Sequence, residues 1–247
     1  MATASRFSLH RYANPAQFER LAGAIMPWST GLAVLLLGSG LYFGLFDSPP
    51  DYQQGDSVRI MYVHVPAAIM SEMVYYMMAA AAAAGIIWKH ALADVFVKAA
   101  APLGAIFTLI CLVAGSLWGR PTWGAYWVWD ARLTSELILF FLYLGYIALV
   151  DAFDDPQRGL KFGAIWVLVG VVDLPIIKFS VYWWNSLHQT SSLFAKGGPS
   201  IATGMLIPLL LMIGGFAFFF VSVVLLRVDS ELLARRIQAW RTAAGEG

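Results

Sequence analysis

Six long apolar stretches, separated by short polar segments, organise this chain: Ala22–Phe46, Ile60–Trp88, Lys98–Trp118, Thr134–Ala152, Phe162–Tyr182 and Ile201–Leu226. A hydrocarbon core of roughly 30 Å needs about 20 helical residues at 1.5 Å each, and every stretch meets or nearly meets that length. The pattern predicts six transmembrane helices. The second stretch is long enough to tilt, and its Ala79–Ala84 run permits close helix packing. The first 20 residues are polar and carry Arg6, Arg11, Glu19 and Arg20. No small-residue cleavage site follows the first apolar stretch, so it reads as a retained span. The fold class expected is all-α: a single six-helix polytopic membrane domain over residues 1–247.

Composition agrees with that reading and excludes several others. Apolar residues make up 60% of the 247 residues and charged residues 13%, against about 45–50% and about 25% in soluble domains. A soluble enzyme and a disordered chain are excluded. The net charge of +1 gives no basic face for nucleic acid. One cysteine, Cys111, allows no internal disulfide, no cysteine metal cage and no CxxCH haem attachment. There is no GxxxxGK[ST] phosphate loop.

Sidedness follows from the cations. One side holds eleven: Arg6, Arg11, Arg20, Lys89, Lys98, Arg158, Lys161, Arg227, Arg235, Arg236 and Arg241. The other holds four, Arg59, Arg120, Arg132 and Lys196, and Lys178 lies inside the fifth span. Both termini are therefore expected in the cytoplasm, with residues 47–59, 119–133 and 183–200 facing outward. The cytoplasmic tail, residues 229–247, is expected to begin as a helix lying on the surface, with Leu232, Leu233, Ile237 and Trp240 on one side.

The outward loop between the third and fourth spans is unusual. It places Trp118, Trp123, Trp127 and Trp129 within twelve residues, followed by Asp130 and Arg132. Interfacial tryptophans are ordinary, because the ring is apolar with one polar edge. Their density, with Gly and Pro turns and an Asp-x-Arg pair, equally suits a flat platform for a planar apolar ligand that carries carboxylates. His64, at the start of the second span, and His188, after the fifth, stand on the same side. A lone interfacial histidine is commonly a hydrogen-bonding edge residue, whereas two at one depth beside an aromatic loop suit axial ligation of a haem iron. His10 and His90 fall on the cytoplasmic side and read as solvated.

Other intramembrane groups need weighing, since ionisable residues in lipid default to function. Glu72 lies two helical turns from His64, on the same face and about 12 Å along the axis. A protonated structural hydrogen bonder is the plainer reading of it. Asp173 and Lys178 flank Pro175, which frees backbone groups and bends a helix. Glu136 opens the fourth span, where the helix dipole favours it. The methionines at 70, 73, 77 and 78 read as core filling.

The segment Trp123-Gly-Ala-Tyr-Trp-Val-Trp-Asp-Ala-Arg-Leu-Thr-Ser resembles the WWD signature of membrane haem-handling proteins. With Tyr62-Val-His-Val-Pro and Phe179-Ser-Val-Tyr-Trp-Trp-Asn-Ser-Leu-His-Gln it is similar to the CcmC family of cytochrome c maturation proteins (haem exporter protein C), over residues 21–226. The resemblance implies His64 and His188 as axial ligands of a non-covalent haem b, and Trp118, Trp123, Trp127, Trp129 and Asp130 as a platform at the porphyrin edge. Arg132, pairing with Asp130 or with a propionate, and Arg59 are the propionate candidates. It also implies the bacterial inner membrane, delivery at the periplasmic face to the haem chaperone CcmE, and work beside the ABC subunits CcmA and CcmB and the small subunit CcmD. No catalytic residue is expected in this chain, and any covalent attachment would use the partner's nucleophile. Two rivals remain from other classes. A transmembrane b-type cytochrome would place its histidines within the bilayer, and a transporter built on Glu72, Asp173 and Lys178 would leave the tryptophan loop unexplained.

Overall fold

The computed structural model describes residues 14–184, 186–188, 193, 198 and 200–245. The cations Arg6, Arg11 and Lys196, together with His10, lie outside the described residues. Among the described residues, seven α-helices make six membrane-length segments. They are α1 (Pro15–Tyr42), α2 (Met61–Trp88), α3 (Ala93–Trp123), α4 (Ala131–Asp151), α5 (Pro156–Gly170), α6 (Asp173–Trp183) and α7 (Thr203–Ala243). Helices satisfy backbone groups within the segment, as lipid requires. The starts are signalled locally: the Asn14 and Asp155 side chains cap α1 and α5 ahead of a proline, and Asp130 caps α4.

The helices run further than the apolar stretches. The third is extended to Ala93 and Trp123, so the expected outward loop at 119–133 narrows to Gly124–Asp130, and Trp118 sits on a helix. Gly124 ends α3 at φ 81°, a left-handed conformation that glycine adopts without strain. The fifth span is broken into α5 and α6. Pro175 has no N–H for the Val171 carbonyl, which accepts from Leu174 instead.

The tail departs from expectation most. It does not lie on the surface: α7 continues unbroken from the sixth span to Ala243. Ion pairs hold it upright against α1 and α3, Arg236 to Glu19 at 2.6 Å, Arg235 to Asp94 at 3.0 Å and Lys98 to Glu231 at 3.1 Å. Leu232 is buried in that packing, while Leu233, Ile237 and Trp240 are exposed.

The main core lies among α2, α3, α4, α5–α6 and α7. It is built on Tyr75, Met78, Tyr143, Leu139, Leu174 and Ile177. Helix α1 packs chiefly on α7, where Ser222 donates to Ser29 at 2.9 Å. Beyond α1 a short π-helical turn (Phe43–Asp47) and a turn closed by Asp51 and Gly55 lead into a 3-10 turn (Asp56–Ile60) and then α2. That connection and the 124–130 loop sit together at one end of the bundle, opposite the ion-paired end.

Candidate functional site

A cleft opens at that end among α2, α3, α4 and the segment after α6. Its walls include His64, Gly115, Trp123, Trp127, Arg132 and His188, with Glu72 and Glu136 deeper in. Two histidines far apart in the chain thus face one space.

His64 is held by α3. Its Nδ1 lies 3.0 Å from the Cys111 carbonyl oxygen. A carbonyl only accepts, so Nδ1 carries the hydrogen and Nε2 keeps its lone pair. The approach depends on Gly115, one turn further along α3. A Cβ there would stand 2.9 Å from the imidazole Cε1, well inside contact distance. Trp118 lies edge-on to the same ring, with centroids 5.7 Å apart.

His188 is held by the loop that opens α4. Its Nδ1 stands 3.0 Å from Asp130 Oδ2, which also accepts from the Ser186 hydroxyl at 2.7 Å. Asp130 Oδ1 accepts from the Leu133 N–H at 2.8 Å and so caps α4. A carboxylate–histidine pair of this kind fixes the tautomer, again leaving Nε2 as the lone-pair nitrogen. Burial pushes the His188 imidazole below its ordinary value, and the Asp130 carboxylate only partly offsets this. The ring is therefore neutral near pH 7. Burial raises the Asp130 carboxyl, but the Leu133 N–H, Ser186 and His188 outweigh it, and the group lies below the usual carboxylate range. Trp123 packs edge-on against the His188 ring at 4.8 Å.

The tryptophans divide by role. Trp123 and Trp127 wall the cleft, and the buried Trp127 indole N–H has no partner among the described residues. Trp129 is 78% exposed and meets Trp127 edge-on at 5.4 Å. Trp118 donates from Nε1 to Gln54 Oε1 at 2.7 Å, tying the connection between α1 and α2 to α3.

Asp130 stands behind His188 rather than on a ring platform. Its expected pairing with Arg132 is not formed among the described residues, and the Arg132 guanidinium faces the cleft. Arg59 lies apart from the cleft. Its guanidinium pairs with Asp56 at 3.0 Å and donates to the Leu45 and Gly44 carbonyls, closing the end of the π-helical turn. Gln54, Cys111, Gly115 and Ser186 were not singled out by sequence as parts of a site. Only Ser186, two residues before His188 in a Ser-x-His turn, left a local signal.

The donor set suits a planar iron porphyrin. Among the described residues two imidazoles keep an uncommitted Nε2, two indoles wall the space, Arg132 lines it, and one buried indole donor has no acceptor. Beside it the Arg120 guanidinium lies over the Tyr126 ring, 5.8 Å from its centroid.

Comparison with known proteins agrees in kind. The family model described as Heme exporter protein C (CcmC) matches residues 8–243. The chain is 50% identical over 227 residues to Heme exporter protein C of Bradyrhizobium diazoefficiens, covering 92% of this chain and 86% of that one. It is 51% identical over 225 residues to the Haemophilus influenzae protein of the same name, covering 91% and 92%. With the Escherichia coli K12 protein it shares 47% over 226 residues, covering 92% and 91%.

Proposed function

This chain belongs to the Heme exporter protein C family, and from that premise we propose that it holds haem b non-covalently in the outer cleft and passes it to a periplasmic chaperone. Membership makes it a multi-pass membrane protein of haem export and handling in cytochrome c maturation. The finer reading is that His64 and His188 ligate the iron while Trp123 and Trp127 hold the ring.

One observation carries it. Each histidine has its Nδ1–H committed to a fixed acceptor, Cys111 O or Asp130 Oδ2, and both rings line the same cleft. A purely structural histidine needs no such pairing of a neutral tautomer with an open Nε2.

In this reading haem supplies an iron that takes two imidazoles and a vinyl edge able to react on a partner. The protein supplies position. Gly115 and the Cys111 carbonyl aim His64, and Asp130 and Ser186 aim His188. Arg132 offers a propionate two parallel charge-assisted hydrogen bonds, which a planar fork does better than an ammonium. The Trp127 N–H is a second donor. Exposed Trp129 and Tyr126 form the rim a chaperone of the CcmE type would meet. ATP hydrolysis belongs to partner subunits of the CcmA and CcmB type, with CcmD as a further small partner. The bilayer is the bacterial inner membrane, with both termini and the ion-paired end of α7 in the cytoplasm.

The test is the visible spectrum of purified wild type, His64→Ala and His188→Ala, oxidised and reduced. Wild type is expected to show a low-spin b-type haem that either substitution abolishes or turns high-spin. Haem-free wild type, after expression with ample haem, overturns the reading.

A further inference from the structure

The cleft continues below the histidines into the membrane. On α2, His64, Ala68 and Glu72 follow at one-turn intervals and all line it; on α4, Arg132 and Glu136 do the same from the opposite side. The floor is therefore one guanidinium and two carboxyl groups. Glu136 is buried, with 7% exposure, and accepts from the Ser71 hydroxyl at 2.7 Å. The Cys111 thiol lies beside it. Arg132 is within electrostatic reach of both carboxyls, yet forms no ion pair with either among the described residues.

We infer that the cleft binds a proton together with each haem, and that the Glu72–Glu136 pair is the site that takes it. This rests on the reading of the cleft as a haem site with a propionate at Arg132. Neither residue has a role in that reading, and both face the ligand space.

Among the described titratable groups, Glu72 faces the floor from α2, the Cys111 thiol from α3, and Arg132 and Glu136 from α4. From α6 come Asp173, which is buried, and Lys178, exposed at the edge; both act on Glu72. The rings of Tyr75 and Tyr143 meet edge-on at 5.1 Å, and the Tyr143 phenol donates to the Ser71 carbonyl at 2.8 Å. At the rim His64 and His188 ligate as neutral rings, and Asp130 is committed to His188. Empty, the floor sets the Arg132 charge against its carboxyls. Ferric haem brings a singly positive core and two propionates, so the cleft gains negative charge. A propionate on Arg132 takes the cation that had balanced a glutamate. A carboxylate left there, away from water and unpaired, is far costlier than a neutral acid. The balanced step is propionate plus a glutamate within the field of Arg132 plus one proton from solvent, giving Arg132-paired propionate plus glutamic acid. No bond other than O–H forms. Loading is then favoured by acid, and when haem leaves, the glutamic acid returns its proton to solvent.

The experiment uses the purified full chain in detergent, as wild type and as the Glu72→Gln/Glu136→Gln double variant. Ferric haem is added in weakly buffered solution with a pH indicator, while the Soret band reports imidazole ligation. Hydroxide lost from haem on ligation contributes equally to both proteins, so the difference isolates the carboxyls. Wild type is expected to take up about one proton more per haem. Its affinity should fall by up to about tenfold more per pH unit on the alkaline side than that of the variant. Equal uptake with the two-imidazole spectrum intact overturns the proton site and leaves the haem site standing, whereas loss of that spectrum in wild type overturns both. Should the variant fail to fold, infrared difference spectra of wild type, loaded minus empty, with labelled glutamate decide the matter. A label-sensitive carboxylic acid band appearing on loading supports the inference, and its absence overturns it.

Discussion

The carboxylate of Asp130 joins the start of a membrane helix to His188: Oδ1 takes the Leu133 N–H at 2.8 Å and Oδ2 takes His188 Nδ1–H at 3.0 Å. The loop that carries the tryptophans and the segment that carries the second histidine are therefore set by one side chain. The start of α4 and His188 are thus tied through one carboxylate.

Asp130→Asn separates the two tasks. Asparagine keeps the cap, because its oxygen still accepts from Leu133, but it removes the second carboxylate oxygen from His188. Haem affinity should fall about 10- to 100-fold, the usual loss when a partner behind a metal-bound histidine is removed. Helix content should be unchanged. Titration of haem into the variant, followed at the Soret band with far-UV circular dichroism alongside, measures both. Unchanged affinity would remove Asp130 from the ligand-holding role.

Gly115→Ala tests the other histidine. A helical Gly→Ala exchange ordinarily stabilises by about 1 kcal/mol, so the helix itself should not suffer. The added methyl would stand 2.9 Å from His64 Cε1 and push the ring from the Cys111 carbonyl. The expected outcome is a folded protein whose haem spectrum loses its six-coordinate, low-spin form. A spectrum identical to wild type would show that the imidazole finds another way in.

Trp118 and Gln54 should behave as a pair. Trp118→Phe removes the donor of the 2.7 Å hydrogen bond and keeps most of the ring beside His64. Gln54→Ala removes the acceptor. A loss of about 1 kcal/mol is expected from either single change, and the double variant Trp118→Phe/Gln54→Ala should cost less than the sum. Thermal unfolding of the three variants in the same detergent supplies the cycle. Strict additivity would deny the coupling.

Acid should loosen the outer site. The native imidazole of His188 lies below its ordinary value of 6.5, so the unfolded chain binds the proton more readily. Stability from this group is complete above that value and is lost as pH falls through the native one. Melting temperature of the haem-free protein should therefore drop on acidification below about pH 6.5, more steeply in wild type than in His188→Asn. Parallel curves would assign the acid sensitivity to other groups.

The ion pairs at the far end of α7 should be silent in haem binding. Arg235→Ala and Arg236→Ala break partly exposed pairs to Asp94 and Glu19, each worth up to about 1 kcal/mol. Faster proteolysis of the tail with an unaltered haem spectrum is the expected result. A changed spectrum would reveal coupling between the two ends of the bundle.

The number of spans could be read from the sequence alone, and His64, His188 and the tryptophans stood out there as candidates. Those follow from quantities local to the chain: apolar length, cation placement and motif spacing. Read alone, the chain misjudged the tail, because the ion pairs of Arg235 and Arg236 with α3 and α1 are invisible in the 229–247 segment taken by itself. It offered Arg59 as a second propionate candidate, whereas only the fold shows the Leu45 and Gly44 carbonyls and the Asp56 carboxylate that occupy it. Gly115, Cys111 and Gln54 gave no local sign of a role at the site. Their importance lies in which atom of a distant element comes within touching distance, and that distance exists only once the helices have packed.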